Sequence, residues 1–237
     1  MIEQILTPWR WQNLFTEWPL LLRAFLTTLE AAVLALILAL ILGVIFGLMS
    51  SSHHRLPRAI ARVYVEFFQN TPLMIQLFFV FFALPYAGIN LPSFTCGVLC
   101  GGVYTGAYIS EVVRAGIGSI PRGQFEAAYS QGFTMVGTLW HIILPQCFKH
   151  IVPTMLSQII TVVKDTSFMA QVAVAELLFR TKNLMSIFYN VVGRQITAMD
   201  VFLLFGFAML LYFAVNFTLS CIVRYLQKRD SSGVAVR

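Results

Sequence analysis

The sequence predicts an all-α integral membrane protein with five transmembrane helices, and two observations lead to that prediction. The first is composition: 58% of the residues are hydrophobic and only 11% are charged, with a mean hydropathy of +0.78. A soluble globular domain is about half apolar and about a quarter charged. The second is the grouping of apolar residues into runs near the length that a helix needs to cross a bilayer. Short basic clusters flank these runs, as membrane topology requires.

The five predicted spans follow from these runs in chain order. The first contains a long stretch without charge, the second has Gln76 as a polar group, and the third is rich in glycine. The fourth is apolar until Lys164 and Asp165, and the fifth is interrupted only by Asn216. We place the spans at about residues 20–49, 63–88, 94–113, 151–172 and 200–224.

The basic residues predict which side of the membrane each connecting segment faces. Ten Lys and Arg residues follow the first, third and fifth spans, whereas five lie in the segments on the other side. Because cytoplasmic segments carry the excess of Lys and Arg, we expect an N-out, C-in topology. Residues 1–19 are then an external interfacial segment with three tryptophans, 20–225 the transmembrane domain, and 226–237 a cytoplasmic tail. The segment at 114–150 becomes a cytoplasmic loop.

Glycine pairs at a spacing of four residues predict close helix packing. Small residues at this spacing let two helix backbones approach each other. A five-helix bundle needs several such contacts, so we interpret the pairs as packing within the chain rather than as a dimer seam. The pairs are Gly43 with Gly47, Gly97 with Gly101, and Gly102 with Gly106.

Several classes of function lack their motif in this sequence. Without a GxxxxGK[ST] loop the chain is not expected to hydrolyse a nucleotide, and without HExxH or GxSxG no catalytic residue is assigned. Neither the four cysteines nor the four histidines have zinc-ligand spacing, so no metal or other cofactor is assigned. No basic stripe follows a single element despite the net charge of +6, which argues against a nucleic-acid partner.

The predicted cytoplasmic loop contains a polar, glycine-punctuated segment from Glu126 to Pro145. Pro121 favours a helix start, and Gly132 is expected to end that helix. A second helix is expected from Met135 to Ile143, closed by Pro145. A connector between two spans needs few residues, whereas this one has more than thirty. The extra length indicates a functional loop.

The motifs of the chain come in a recognisable order. Glu126-Ala127-Ala128, followed by Gly132 and then by Leu144-Pro145, resembles the EAA motif of the membrane subunits of ATP-binding-cassette importers. Other motifs are similar to those of the polar amino-acid uptake subfamily, and the similarity covers about residues 20–224. They are Asn70-Thr71-Pro72-Leu73, Ala107-Tyr108 with Glu111, Arg114-Ala115-Gly116, Gly123-Gln124, Leu144-Pro145-Gln146 and Lys164-Asp165-Thr166-Ser167.

The resemblance implies a type I ABC importer-like permease subunit in a bacterial cytoplasmic (inner) membrane. Two permease chains, either two copies or one copy and a related chain, would enclose a pathway for an amino acid. An ABC ATPase dimer would bind ATP and Mg²⁺, and an extracytoplasmic substrate-binding protein would dock outside. Glu126 would anchor the loop helix in a cleft of the ATPase, and Ala127 and Ala128 would let that helix enter deeply. The implied coupling residues are Gly123, Gln124, Glu126, Ala127, Ala128, Gly132, Leu144 and Pro145.

Polar side chains at membrane depth are candidates for the substrate pathway, because such groups are costly in lipid and face cavities. Asp165 is the principal candidate, and Gln158 lies seven residues earlier on the same helix face. Asp165 either lines the pathway or forms a structural pair with Lys164, and the sequence leaves both readings open. One carboxylate with one amide favours a polar or zwitterionic amino acid over a cationic one. The pathway candidates are Gln158, Asp165, Thr166, Ser167, Thr71 and Gln76.

Two further expectations complete the sequence analysis. Glu111 and Arg114, three residues apart, are expected to form a structural ion pair at the cytoplasmic edge.

The alternative function is a secondary, ion-coupled amino-acid permease. Such transporters are built from inverted repeats, and five unequal spans do not divide into two halves.

Overall fold

In the computed structural model, which describes residues 17–191 and 198–234, the regular secondary structure is helical and no strand occurs in those ranges. Most of the predicted external segment and the last three residues of the predicted tail lie outside them. The helices are α1 (Trp18–Ser50), α2 (Arg55–Gln69), α3 (Leu73–Phe78), α4 (Ser93–Gly118), α5 (Arg122–Ser130), α6 (Met135–Thr138), α7 (Leu144–Asp165), α8 (Leu177–Val191) and α9 (Ala198–Val234).

Within those residues, three helices are long and apolar enough to cross a membrane: α1, α4, and α9 up to Lys228. The number becomes four if α2 and the helical segment Leu73–Ala87 count as one broken span. The all-helical membrane architecture is therefore confirmed. The fifth crossing, which the sequence analysis assigns to the region of α7, stays a prediction, as does the orientation.

The α1–α4 contact is made possible by small residues on both helices. Added Cβ atoms at Gly43 and Gly47 would overlap Ile109 and Val113 of α4. On the α4 side of the same contact, a Cβ added at Gly102 would lie 2.7 Å from the Leu38 side chain of α1. The glycine pairs thus serve packing within the chain, as predicted, and the two backbones approach closely.

The predicted second span is not one straight helix, because α2 and Leu73–Ala87 meet at a bend of 97°. Pro72 has no backbone N–H and cannot continue the α2 ladder. The freed carbonyls accept hydrogen bonds from side chains instead. Thr71 Oγ1 donates to Phe67 O at 2.7 Å, and Gln76 Nε2 donates to Phe68 O at 3.0 Å and to Thr71 O at 2.9 Å.

The prediction that Pro145 closes a second loop helix is wrong. After α6 the chain makes a π-helical turn over Leu139–Ile143, and the Leu144 N–H bonds to Leu139 O. Pro145 then lies in the first turn of α7, directly after the π turn, and has no N–H to donate to that turn. The π turn resets the hydrogen-bond register, so the chain continues as helix for another 22 residues.

Beyond Asp165 the chain leaves α-helical geometry. A 3₁₀ turn covers Thr166–Val172, and Ala173 has a left-handed φ of 61°. The helix that follows, α8, is not among the predicted elements. It packs between α1 and α9 in a buried cluster that contains Leu21, Leu177 and Leu204.

Two glycines at the α1–α4 interface provide a matched test of this packing. A Cβ at Gly47 would lie 2.6 Å from Val113 Cβ and 3.0 Å from the Ser110 carbonyl oxygen, so Gly47→Ala forces the helices apart. We expect this substitution to destabilise the protein by about 1–3 kcal/mol. At Gly101 the nearest atom would be Ala35 Cβ at 3.6 Å, an ordinary contact, so Gly101→Ala should be neutral or stabilising. Thermal unfolding in detergent measures both, and equal midpoints would contradict the interpretation.

Candidate functional site

The loop between α4 and α7 contains the helix that the sequence predicts after Pro121. Pro121 is the N-cap residue of α5. At the other end Gly132 has a φ of 83°, which lets Gly132 N donate to Tyr129 O at 2.9 Å and Phe133 N donate to Ala128 O at 3.1 Å. A Cβ at Gly132 would meet no atom within 4 Å. Glycine is therefore required there by backbone conformation and not by space.

The three residues of the Glu-Ala-Ala motif do not face the same surroundings. Glu126 and Ala127 are exposed, whereas Ala128 is only 2% exposed. The expectation that Ala128 enters a partner's cleft therefore does not fit. Its small side chain is needed for the loop to close on itself, and Glu126 and Ala127 remain for a partner.

An apolar surface accompanies these two residues. We call it the loop patch; it consists of Tyr129, Phe133, Met135, Val136 and Trp140. Val136 and Trp140 are 65% and 64% exposed. Contiguous exposed apolar residues beside polar ones mark interaction surfaces.

A hydrogen bond links the loop to α7. Gln146 Nε2 donates to Ile142 O at 2.9 Å, on the π turn, and to Gln124 Oε1 of α5 at 3.3 Å. Gln124 is a predicted coupling residue, and Gln146 belongs to the Leu144-Pro145-Gln146 motif. The side chain that bonds to the π turn thus also holds α5 against the start of α7.

A cavity of about 1230 Å³ separates the loop from α2 and from the ends of α1 and α4. Its lining includes Arg58, Arg122 and Glu126. Arg114, also in the lining, donates two hydrogen bonds to Glu111, the shorter at 2.6 Å, which confirms the predicted ion pair.

Asp165 lies at the end of α7 beside a small cavity. The cavity has a volume of about 10 Å³ and lies among α1, α3, α4 and the turn after α7. Thr105 and Thr166 also line it. Such a volume is close to the minimum for one water molecule. Lys164 is exposed and forms no salt bridge with Asp165, so the geometry favours the cavity-lining reading.

The other predicted pathway residues are held by local hydrogen bonds. Thr166 Oγ1 donates to Val163 O at 2.7 Å and Ser167 Oγ to Lys164 O at 2.8 Å. Thr71 and Gln76 bond to the backbone at the bend after α2, as described above. Gln158 is half-buried but is not part of the Asp165 cavity lining. The structure therefore brings Asp165 and Thr166 together, and leaves Gln158, Thr71 and Gln76 apart from them.

Sequence reasoning missed Glu176. The side chain is fully buried, and its carboxylate accepts backbone hydrogen bonds at the start of α8. The available signal was its position between two apolar stretches, 172–175 and 177–179. An acid so placed is rarely solvated.

Comparison with known proteins agrees with this architecture. The family model of the binding-protein-dependent transport system inner membrane component matches residues 39–231. The chain is 35% identical over 216 residues to the probable glutamine ABC transporter permease protein GlnM of Bacillus subtilis (strain 168), covering 91% of this chain and 95% of that protein. It is 32% identical over 218 residues to the L-cystine transport system permease protein TcyB of the same organism, covering 92% and 89%.

Solved structures show the same fold. A crystal structure of an amino acid ABC transporter with histidines aligns with a TM-score of 0.81 at 28% identity, covering 92% of this chain and 97% of that one. An inward-facing structure of the MetNI methionine ABC transporter aligns with a TM-score of 0.67 at 19% identity, covering 89% and 98%. The helical permease fold, the loop and the matches over most of the chain lead to one conclusion: the protein belongs to the family of binding-protein-dependent transport system inner membrane components, the permease subunits of ABC importers.

Proposed function

We propose that this permease subunit carries a polar or zwitterionic amino acid, with the loop between α4 and α7 as its coupling element and the Asp165 region as part of its pathway. The observation on which the proposal chiefly rests is the Gln124–Gln146 hydrogen bond, because it joins the exposed loop to the helix that ends at Asp165.

The loop surface is suited to docking an ATPase subunit. Exposed Glu126 offers a carboxylate for charge-assisted hydrogen bonds, and Ala127 beside it leaves room for a close approach. The loop patch adds aromatic and aliphatic side chains, which are typical anchors of protein interfaces. An ABC ATPase dimer that binds ATP and Mg²⁺ is the proposed partner.

Motion of the docked loop would reach the pathway through α7. This helix has 22 residues and so a length of about 33 Å, comparable to the hydrocarbon thickness of a bilayer. Gln146 attaches α5 to one end of α7, and Asp165 lies at the other end. A tilt of the loop would therefore move the segment around Asp165 without a change in the secondary structure between them.

Asp165 supplies a carboxylate beside a cavity that has a volume of only about 10 Å³ in this conformation. An amino-acid ammonium group is the complementary ligand, and Thr105 adds a hydroxyl from α4. The similarity to permeases named for glutamine and cystine, and to a solved amino-acid transporter, supports an amino-acid substrate.

The arrangement in the membrane follows from the same proposal. Five crossings result if α1, the bent α2–α3 pair, α4, α7 and α9 each traverse the bilayer, with the N-terminus outside and the C-terminus inside. Residues 20–225 would then form the transmembrane domain and 114–150 the cytoplasmic coupling loop, flanked by an external segment at 1–19 and a cytoplasmic tail at 226–237. The other partners would be a second permease chain, identical or related, an extracytoplasmic binding protein and membrane lipid.

The ion-coupled alternative is left without support. GlnM is an ABC transporter permease and the solved structures are ABC transporters. Reconstitution with the proposed ATPase and binding protein tests the proposal directly. Amino-acid uptake should require ATP and the binding protein and should be inhibited by vanadate. Uptake driven by an ion gradient without the ATPase would contradict it.

The docking surface is tested at Ala127. We expect Ala127→Trp to weaken ATPase association by about 30-fold, because an interface hot spot corresponds to about 2 kcal/mol or more. Ala87→Trp, at an exposed position remote from the loop, serves as the control. Co-purification of the ATPase from detergent measures the association. Equal recovery with both variants would exclude this surface.

The link between loop and α7 is tested at Gln146. Replacing it with alanine removes the bond to Gln124, so ATP hydrolysis should continue while uptake per ATP falls about tenfold. Gln124→Ala should give the part of this defect that comes from the shared bond, and adding it to Gln146→Ala should change nothing further, because Gln146→Ala already breaks that bond as well as the one to Ile142 O. Gln131→Ala, on an exposed part of the same loop, is the control. Additive effects of the two substitutions would refute a shared role.

The pathway role is tested by Asp165→Asn. Loss of the charge should lower uptake about tenfold, while ATP hydrolysis stimulated by the binding protein is retained, because charge-assisted hydrogen bonds are about twice as strong as neutral ones. Glu30→Gln makes the same chemical change at an exposed position of α1. Unchanged uptake by the Asp165 variant would remove this residue from the pathway.

A further inference from the structure

Glu176 is a fully buried acid that none of the roles above uses. Its Oε1 accepts a hydrogen bond from Phe179 N at 2.7 Å. Its Oε2 accepts hydrogen bonds from Leu178 N at 2.9 Å and from the Tyr212 hydroxyl at 2.8 Å. Thr28 Oγ1 lies 3.4 Å from the same Oε2. The carboxylate therefore joins α1, the start of α8, and α9.

This carboxylate is held by hydrogen bonds and not by an ion pair. Among the described residues, no lysine, arginine or histidine forms a salt bridge with Glu176. A buried carboxylate without compensation is strongly disfavoured, so its position depends on all of its donors being in place. A fully satisfied buried network of this kind specifies one arrangement of the elements that it joins.

Thr28 fixes the same junction from α1. Its hydroxyl oxygen accepts a hydrogen bond from Leu177 N at 3.1 Å, so the first turn of α8 is attached to α1 through the backbone as well as through Glu176. The neighbouring Thr27 has only the bond of its hydroxyl to a carbonyl four residues earlier, Arg23 O at 3.2 Å. Two adjacent threonines therefore differ in whether they reach the network.

The network extends to the pathway segment. The Tyr212 side chain packs against the buried cluster of Ala32, Ala35, Val162 and Val163, which includes the last turn of α7 just before Asp165. Between Thr166 and Glu176 the chain runs through the 3₁₀ turn and the left-handed Ala173. The middle of this turn contacts α4, where Met169 packs against Gly97. Glu176 follows this turn in the chain, and Tyr212 bonds to Glu176 while it packs against the end of the helix that precedes the turn.

We propose that Glu176 is a positioning residue for transport: through Tyr212 and Thr28 it holds the Thr166–Val172 turn, and with it Asp165, at a fixed place between α1 and α9. The functional part of this inference rests on the pathway role proposed for Asp165. Glu176 itself does not touch the cavity lined by Asp165.

The substitution Glu176→Gln tests the inference with almost no change in shape. An amide replaces one acceptor oxygen by a donor, so at least one backbone N–H at the start of α8 loses its partner. Tyr212→Phe is the milder second variant, because it removes one donor and leaves the α8 bonds intact. Thr28→Val is compared with Thr27→Val, and Tyr212→Phe with Tyr225→Phe, an exposed tyrosine on the same helix.

Two measurements are made on the assembled transporter with its ATPase and binding protein. The first is the rate at which N-ethylmaleimide labels Phe168→Cys, which reports the position of the turn, since Phe168 is 40% exposed. The exposed Cys221 is replaced by serine, and the other three cysteines are buried. The second measurement is uptake per ATP hydrolysed, which a purely stabilising residue would not change per assembled complex.

We expect Glu176→Gln and Tyr212→Phe to shift both quantities by about tenfold, the factor for one buried hydrogen bond, while the control variants shift neither. Lower yield or thermal stability with both quantities unchanged per complex would overturn the inference. If Asp165→Asn lowers uptake per ATP but Glu176→Gln and Tyr212→Phe do not, the positioning role of Glu176 is overturned and the pathway role of Asp165 is retained. If labelling shifts but none of the three variants changes uptake per ATP, the pathway role of Asp165 fails and Glu176 positions only the turn.

Discussion

Breaks in helices within apolar surroundings are the constraint on which the rest of this structure depends. In lipid or in a dry core, each backbone N–H and C=O group that leaves helical geometry needs another partner. Gln76 supplies partners at the bend after α2, Gln146 at the π turn before α7, and Glu176 at the start of α8. Each of these side chains makes an irregular piece of backbone compatible with its surroundings.

The breaks divide the chain into stiff pieces joined at defined points. The α1–α4 pair is closely packed, since Gly43 and Gly47 leave no room for even a methyl group. The α7 segment is attached at its first turn to the loop and at its last residue to the Thr166–Val172 turn. Such an arrangement suits a protein whose proposed task is to transmit motion over the thickness of a membrane. Motion then concentrates at the junctions, because close-packed helices do not deform continuously.

Much of the site could be predicted from local signals. Pro121 and Gly132 delimit α5 because proline and glycine impose their own backbone angles, which no tertiary contact needs to supply. Pro145 misled the prediction, because the π turn over Leu139–Ile143 changes the hydrogen-bond spacing just before this proline and the helix continues past it. Ala128 was assigned to a partner, but a small side chain is equally suited to packing inside the loop, and sequence does not distinguish the two.

The sequence by itself determined that the chain is a helical membrane protein, and it placed a helix between Pro121 and Gly132 in a long loop. Composition, the length of apolar runs and the identity of turn residues act locally, so they are readable without coordinates. Only the tertiary structure decided that α2 and α3 meet at 97°, that Gln124 bonds to Gln146, and that Glu176 lies buried among three helices. These features join residues that are far apart in the chain, such as Thr28 and Glu176. Their partners are chosen by the packing of whole helices, which no local pattern records.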